Sequence, residues 1–181
     1  ADLLEALGVN LDAAPEQVAR CIEQAGFGFC FAPRFHPAMK VVAPIRKALG
    51  IRTIFNLIGP LANPAPLTFQ LVGVSEMRLM TPMAEALVQL GIRHGMVVHG
   101  RDGLDEVTTT RETAVLEVRG GKIAEQRFHA ETFGVPHATL EQLRGGAPQD
   151  NARIAQEALH GQRCAIRDII VLNAGCAIYV A

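Results

Sequence analysis

Residues 69–99, FQLVGVSEMRLMTPMAEALVQLGIRHGMVVH, decide the fold class. Phe69-Gln70-Leu71-Val72-Gly73-Val74 is the short apolar run of a buried strand. Thr81 then offers an N-cap for a helix from Pro82 to about Leu90, on which Met83, Leu87 and Leu90 form an apolar stripe. Gly95-Met96-Val97-Val98-His99 is a second strand. Strand, helix and strand in succession predict an α/β architecture, a central sheet flanked by helices.

Toward the C-terminus the period changes. Thr113 to Val118 and Ile123 to Phe128 flank Arg119-Gly120-Gly121-Lys122, the signal of an antiparallel hairpin, so the sheet is expected to be mixed. Pro148 to His160 reads as a helix stopped by Gly161, although Ala147 is a poor N-cap. Asp168 to Ala181 fits either a strand (Ile169 to Leu172) or a helix (Ala174, Ala177, Ile178, Ala181), and its length favours helix. Toward the N-terminus, Pro15 opens an amphipathic helix with Val18, Ile22 and Ala25 on one face and Gly26 as its stop. Phe27 to Phe31 reads as a short strand or buried extended segment, and His36 to Leu49 as a helix closed by Gly50.

The composition excludes several functions. With 181 residues, 49% of them hydrophobic, the chain can bury a sizeable core. Seventeen cationic against 18 anionic side chains leave a net charge of -1, with no electrostatic footprint for nucleic acid or an acidic membrane. Cys21, Cys30, Cys164 and Cys176 are scattered without a CxxC pair, which argues against zinc and disulfide frameworks and fits a reducing cytoplasm. The longest uncharged apolar stretch, Ile169 to Ala181, is shorter than the roughly 20 residues that span a bilayer. The chain opens without Met in a helical pattern and stops at Ala181 without a cap, which reads as a piece of a longer protein.

Two stretches carry candidate chemistry. His36 to Pro64 combines a histidine, the cations Lys40, Arg46, Lys47 and Arg52, and an apolar run, Ile54 to Ile58, bent by Gly59-Pro60 and Asn63-Pro64. An apolar wall beside cations suits a small aromatic acid. The competing reading is a solvated cationic helix face, with His36 packed at the helix start beside Pro37. The second stretch, His99-Gly100-Arg101-Asp102-Gly103-Leu104-Asp105-Glu106, follows a strand at the end where open α/β sheets bind ligands. Its three acids suit Mg²⁺, which takes hard oxygen ligands and is often held by one or two carboxylates together with substrate phosphates. A solvated Asp-Gly turn is the competing reading. The chain contains no GxxxxGK[ST] loop and no identifiable serine or cysteine nucleophile motif.

The runs His36-Pro37-Ala38-Met39-Lys40, Pro44-Ile45-Arg46, Leu49 to Leu61 and Asn63-Pro64-Ala65 together resemble the anthranilate phosphoribosyltransferase family. So do Ala1 to Gly8, Asp102 to Glu106, Leu143-Arg144-Gly145-Gly146 with Asn151-Ala152, and Leu172 to Ala181. The resemblance implies a fold like the class III nucleoside phosphorylases, with a small helical domain and a larger α/β domain. Residues 11–50 would be a segment of the former, and residues 1–10 and 51–181 an incomplete part of the latter. It further implies transfer of the 5-phosphoribosyl group from phosphoribosyl pyrophosphate to anthranilate in tryptophan biosynthesis.

Carried over residue by residue, the resemblance makes Arg46 the clamp on the anthranilate carboxylate. His36 and Pro60 line the aromatic pocket, and Asp105 and Glu106 are the ligands of Mg²⁺. No acid or base catalyst is assigned. The family's GTGGD and KHGN motifs are absent from these residues, so the piece alone is expected to be inactive. The family forms homodimers through its helical domain, which makes Pro15 to Ala25 a candidate contact. Two alternatives are a pyrimidine nucleoside phosphorylase-like transferase, against which the context of Arg46 and Gly59-Pro60 speaks, and a nucleic-acid-binding paralogue, which the charge balance disfavours.

Overall fold

The computed structural model describes residues 1–36, 48, 50 and 57–181. The helix expected from His36 to Leu49 therefore lies almost wholly outside the described residues. Contacts divide the chain into two compact units, Ala1–Pro66 and Leu67–Ala181.

Among the described residues, the first unit carries the helices α1 (Asp2–Ala6), α2 (Pro15–Ala25) and α3 (Ala32–Phe35). Helix α2 begins and ends where the sequence predicts. Pro15 supplies the first helical residue, where its missing N–H costs nothing, and Gln17 Oε1 accepts from the Ala14 amide at 2.8 Å. Gly26 closes it with φ 72°, a conformation that favours glycine. Val18 is buried, and Gly28 packs so tightly that a Cβ there would meet Ile22 Cγ1 at 2.6 Å. The following Phe27 to Phe31 segment forms no strand. Phe29 and Phe31 stack with ring centroids 6.2 Å apart, while Phe27 is 59% exposed. An apolar run needs a partner strand before it becomes β, and among the described residues this one has none.

The second unit is a four-stranded sheet in the order β1 (Phe69–Gly73), β2 (His94–Gly100), β3 (Thr113–Arg119), β4 (Lys122–Phe128). Strands β1 and β2 are parallel, in register from Phe69↔His94 to Gly73↔Val98, and the other two pairings are antiparallel. The mixed sheet expected from the sequence is thus present. The β3–β4 turn places Gly120 and Gly121 at φ 55° and 77°, the two positive values that a two-residue hairpin requires. Strand β4 is exposed along nearly its whole length.

Helix α4 (Met80–Gln89) crosses from β1 to β2 and buries Met80, Met83, Ala84 and Leu87, the spacing of one helical face. It starts earlier than predicted. A 3₁₀ turn at Met77–Leu79 runs straight into it, so Leu79 is the N-cap and Thr81 lies inside the first turn. Pro82 is tolerated there because first-turn amides have no intrahelical acceptor. Leu90 ends the helix exposed rather than extending its stripe. The stop is a Schellman motif: Gly91, at φ 77°, donates to the Val88 carbonyl at 3.0 Å and Ile92 to the Leu87 carbonyl at 3.1 Å.

Helix α5 (Pro148–Leu159) lacks a side-chain cap on Ala147, as the sequence indicates. Asn151 compensates by bracing the preceding loop: its Oδ1 accepts from the Gly146 amide at 2.7 Å and its Nδ2 donates to the Gly146 carbonyl at 3.0 Å. Helix α6 (Ala165–Val180) resolves the strand-or-helix ambiguity at the end of the chain in favour of helix. Leu172 and Val180 of α6 join Met96, Val98, Val107, Val115 and Ala130 in one buried cluster. Alternate residues point to the other face, where Gly95 lies against Leu87 and Ile92. The sheet is covered by α6 on one side and α4 on the other. Each fully buried aliphatic side chain in these layers contributes about 1.5–3 kcal/mol.

A polar group is sealed into the lower end of this sheet. Glu117 accepts from His94 Nε2 at 2.8 Å, Tyr179 Oη at 3.0 Å and Gln126 Nε2 at 2.5 Å. Burial alone would raise its carboxyl, but the His94 and Tyr179 hydrogen bonds and the charges of His94 and Arg119 outweigh that and hold it below the ordinary range. A carboxyl lowered on folding stabilises above its unfolded value, about 4.3, and that stability is lost as pH falls through the folded value. Urea midpoints of the wild-type chain are expected to drop below about pH 4. Glu117→Gln should flatten this acid limb, and an unchanged limb would show that Glu117 carries no linkage.

Candidate active site

The loop 101–112 joins the carboxyl end of β2 to β3, where a parallel pair opens toward ligands. Its neck is closed by Arg101, whose amide donates to the Glu112 carbonyl at 3.0 Å and whose Nε meets Glu112 Oε1 at 2.9 Å. Gly103, at φ 94°, turns the chain back, and its amide donates to the Gly100 carbonyl at 2.8 Å.

The three acids of this loop have different fates. Asp102 is consumed internally: it accepts from the hydroxyls of Thr108 and Thr110 and from the Leu104 amide. Burial would raise its carboxyl, but these hydrogen bonds outweigh it and keep the group below the ordinary carboxylate value. Asp105 and Glu106 remain exposed. Glu106 is raised, first because the protein desolvates one side of it and second because the Asp105 charge stands beside it.

Two neighbours fix the backbone under this acidic pair. Gly73, at the end of β1, lies directly against the Asp105 carbonyl, so that a Cβ there would overlap it. Asn173 of α6 brackets Val107: its Oδ1 accepts from the Val107 amide at 2.9 Å and its Nδ2 donates to the Val107 carbonyl at 2.8 Å. His99 Nδ1 donates to the Val74 carbonyl at 2.8 Å and ties β2 to the residue after Gly73.

Asp105 and Glu106 suit a divalent cation. They are adjacent, exposed and mutually repulsive: Glu106 is raised first by desolvation and second by the Asp105 charge, and a cation relieves the second. Among the described residues no cluster of three His, Cys, Asp or Glu side chains is built for a metal ion. Two carboxylates completed by waters or substrate oxygens are an arrangement that Mg²⁺ favours and zinc does not. The resemblance names this pair, whereas the residue pattern alone does not separate it from Asp102. Thr108, Thr110, Gly73 and Asn173, which sort and place the acids, went unrecognised.

A cleft of about 720 Å³ opens beside the loop, lined in part by Arg101, Asp102, Arg111, His129 and His137. Asp105 and Glu106 are not among its lining residues, and its cationic groups are matched by Glu112 and Glu141. The acidic pair, rather than this cleft, holds the candidate chemistry.

The other predicted residues lie in the first unit. His36 caps α3, half-buried, its amide donating to the Ala32 carbonyl at 2.8 Å. Pro60 is half-buried in a turn closed by Leu61 and Ala62 amides on the Ile58 carbonyl at 3.0 and 2.9 Å. The expected bend at Asn63-Pro64 is present, with Asn63 Oδ1 accepting from the Ala65 amide at 2.9 Å. Arg46, Lys40, Lys47, Arg52 and Asn56 lie outside the described residues.

Comparison with known proteins bears on the whole chain. Residues 1–181 match the glycosyl transferase family, a/b domain. The anthranilate phosphoribosyltransferase of Rubrobacter xylanophilus is 54% identical over 100% of this chain and 53% of its own length. The crystal structure of anthranilate phosphoribosyltransferase from Thermus thermophilus superposes with a TM-score of 0.91 at 48% identity, covering 99% of this chain and 53% of that one. The Saccharomyces cerevisiae anthranilate phosphoribosyltransferase, solved in complex with PRPP and Mg, gives 0.89 at 30% identity, covering 98% and 52%. The chain spans about half the length of these relatives. It belongs to the glycosyl transferase family.

Proposed function

We propose, from this family membership, that the protein carrying this chain transfers the 5-phosphoribosyl group of phosphoribosyl pyrophosphate to the amine of anthranilate, releasing pyrophosphate. The observation that carries the reading is the exposed Asp105–Glu106 pair on a braced loop at the carboxyl end of β2, in a chain that matches the family from end to end. Relatives named for this activity, one of them solved with PRPP and Mg, support it.

The chemistry asks little of acid–base groups. The aryl amine of anthranilate is neutral and nucleophilic at pH 7, whereas the ribosyl carbon must part from a pyrophosphate anion as positive charge grows on it. Mg²⁺, when bound, neutralises the leaving pyrophosphate. Asp105 and Glu106 would hold that cation. Arg46 clamps the acceptor carboxylate through two parallel N–H donors on a charge that does not titrate, a geometry lysine does not reproduce. His36 and Pro60 provide surface for the aromatic ring. Holding acceptor and donor in line supplies most of the remaining acceleration.

Four free cysteines fit a reducing cytoplasm, and no helix of the described residues is long and apolar enough to cross a membrane. The protein pairs with a second copy, and α2, whose Ile22 is 44% exposed, is a candidate contact.

In the protein carrying this chain, Arg46→Ala is expected to raise the anthranilate KM at least tenfold, about 1.4 kcal/mol, with the phosphoribosyl pyrophosphate KM nearly unchanged. Steady-state kinetics with each substrate varied in turn check this. Unchanged anthranilate kinetics would remove Arg46 from the acceptor site.

A further inference from the structure

We infer that Asn173 is a positioning residue for the acidic loop, holding the backbone beside Glu106 in the place a divalent cation requires; this rests on the reading of Asp105 and Glu106 above. Val107 is completely buried yet sits in a loop, where neither its N–H nor its C=O has a strand partner. Buried backbone groups need partners, and both come from one side chain 66 residues away. The Val107 amide belongs to the peptide that carries the Glu106 carbonyl, and the Val107 carbonyl to the next peptide. Asn173 therefore fixes two successive peptide planes immediately after the acidic pair.

The side chain is itself fixed. Its second amide hydrogen goes to the Ile169 carbonyl at 2.9 Å, one turn back on α6, so the carboxamide uses both hydrogens and an oxygen lone pair and cannot turn without breaking all three bonds. Only a planar group with a donor and an acceptor meets the two sides of one residue in this way. Aspartate has the shape but lacks the donor, and would set a carboxylate against the Val107 carbonyl. With Gly73 beneath Asp105, the loop is held on both sides of the pair, and α6 sets one of the two anchors.

The test uses the protein carrying this chain, with Mn²⁺ as a paramagnetic substitute for Mg²⁺ and backbone amide NMR as the readout. In the wild type, Mn²⁺ is expected to broaden the Asp105 and Glu106 signals selectively. Asn173→Asp should need at least fivefold more Mn²⁺ for the same broadening and should shift the signals of residues 105–107. Asn173→Ala, which removes both hydrogen-bonding groups without adding charge, gives the same comparison where Asn173→Asp does not fold. Leu87→Ala, a destabilising change on the opposite face of the sheet, should leave the Mn²⁺ response as it is.

Three results overturn the inference. If the wild type broadens at Asp105 and Glu106 and the Asn173 variants match it, the positioning role is lost while the cation reading stands. If Leu87→Ala weakens the response as much as Asn173→Asp, the effect is one of general stability. If the wild type shows no broadening at the pair, the cation reading fails and the inference with it.

Discussion

Asp105→Asn combined with Glu106→Gln, in the protein carrying this chain, is expected to lower kcat/KM for phosphoribosyl pyrophosphate at least 100-fold, about 2.7 kcal/mol, at millimolar Mg²⁺. Both replacements keep side-chain size and most hydrogen bonding, so the change isolates charge. A pair of carboxylates that shares a cation with pyrophosphate should lose affinity for the metal first, and raising Mg²⁺ should recover part of the rate. Wild-type metal dependence in the double variant would take both residues out of the site.

The second large effect is expected from the smallest substitution. Gly73→Ala should destabilise the chain by about 3 kcal/mol, the upper part of the range for forcing extra atoms into a packed interior. The added methyl would overlap the Asp105 carbonyl, a backbone group that no rotamer change can move aside. Either β1 or the loop must shift. Gly91→Ala is the control: it strains a φ of 77° with nothing within 4 Å of the new Cβ, and costs about 1 kcal/mol without reaching the loop. Urea denaturation gives the two stabilities, and amide chemical shifts at residues 105–107 show which variant disturbs the acidic pair. A Gly73→Ala chain as stable as wild type, with unmoved loop signals, would show that this contact is not tight.

The framework of the second unit was legible because its signals are local. The stretch from residue 69 to 99 switches between a strand run and a helical stripe within windows that periodicity can read, and Gly120-Gly121 specifies its turn chemically. Thr81 was misread for a reason equally local: a capping residue type says where a helix can start, and the turn at Met77–Leu79 starts it sooner. Of the two readings of Phe27 to Phe31, a strand or a buried extended segment, the strand is not formed, for the opposite reason. The segment's composition suits a strand, but strand formation depends on a partner elsewhere in the chain.

The candidate site divides along the same line. Residue type and motif resemblance mark Asp105 and Glu106 as candidates. They were not enough to show that Asp102, three residues earlier, is spent on Thr108 and Thr110. Nor do they connect Asn173 to Val107, since nothing in a linear pattern links residues so far apart. The proposed role of Arg46 on the acceptor side rests on the resemblance and on guanidinium chemistry.

Strand β4 has one consequence for assembly. Its sequence, KIAEQRF, places lysine, glutamate, glutamine and arginine along an exposed margin of the sheet. A strand from another molecule approaching this margin would have to strip water from those charges before gaining any backbone hydrogen bond. In this chain such a charged margin would oppose edge-to-edge pairing. Replacing its charges with valine or threonine would turn the hairpin into a nucleus for aggregates while leaving the acidic loop intact.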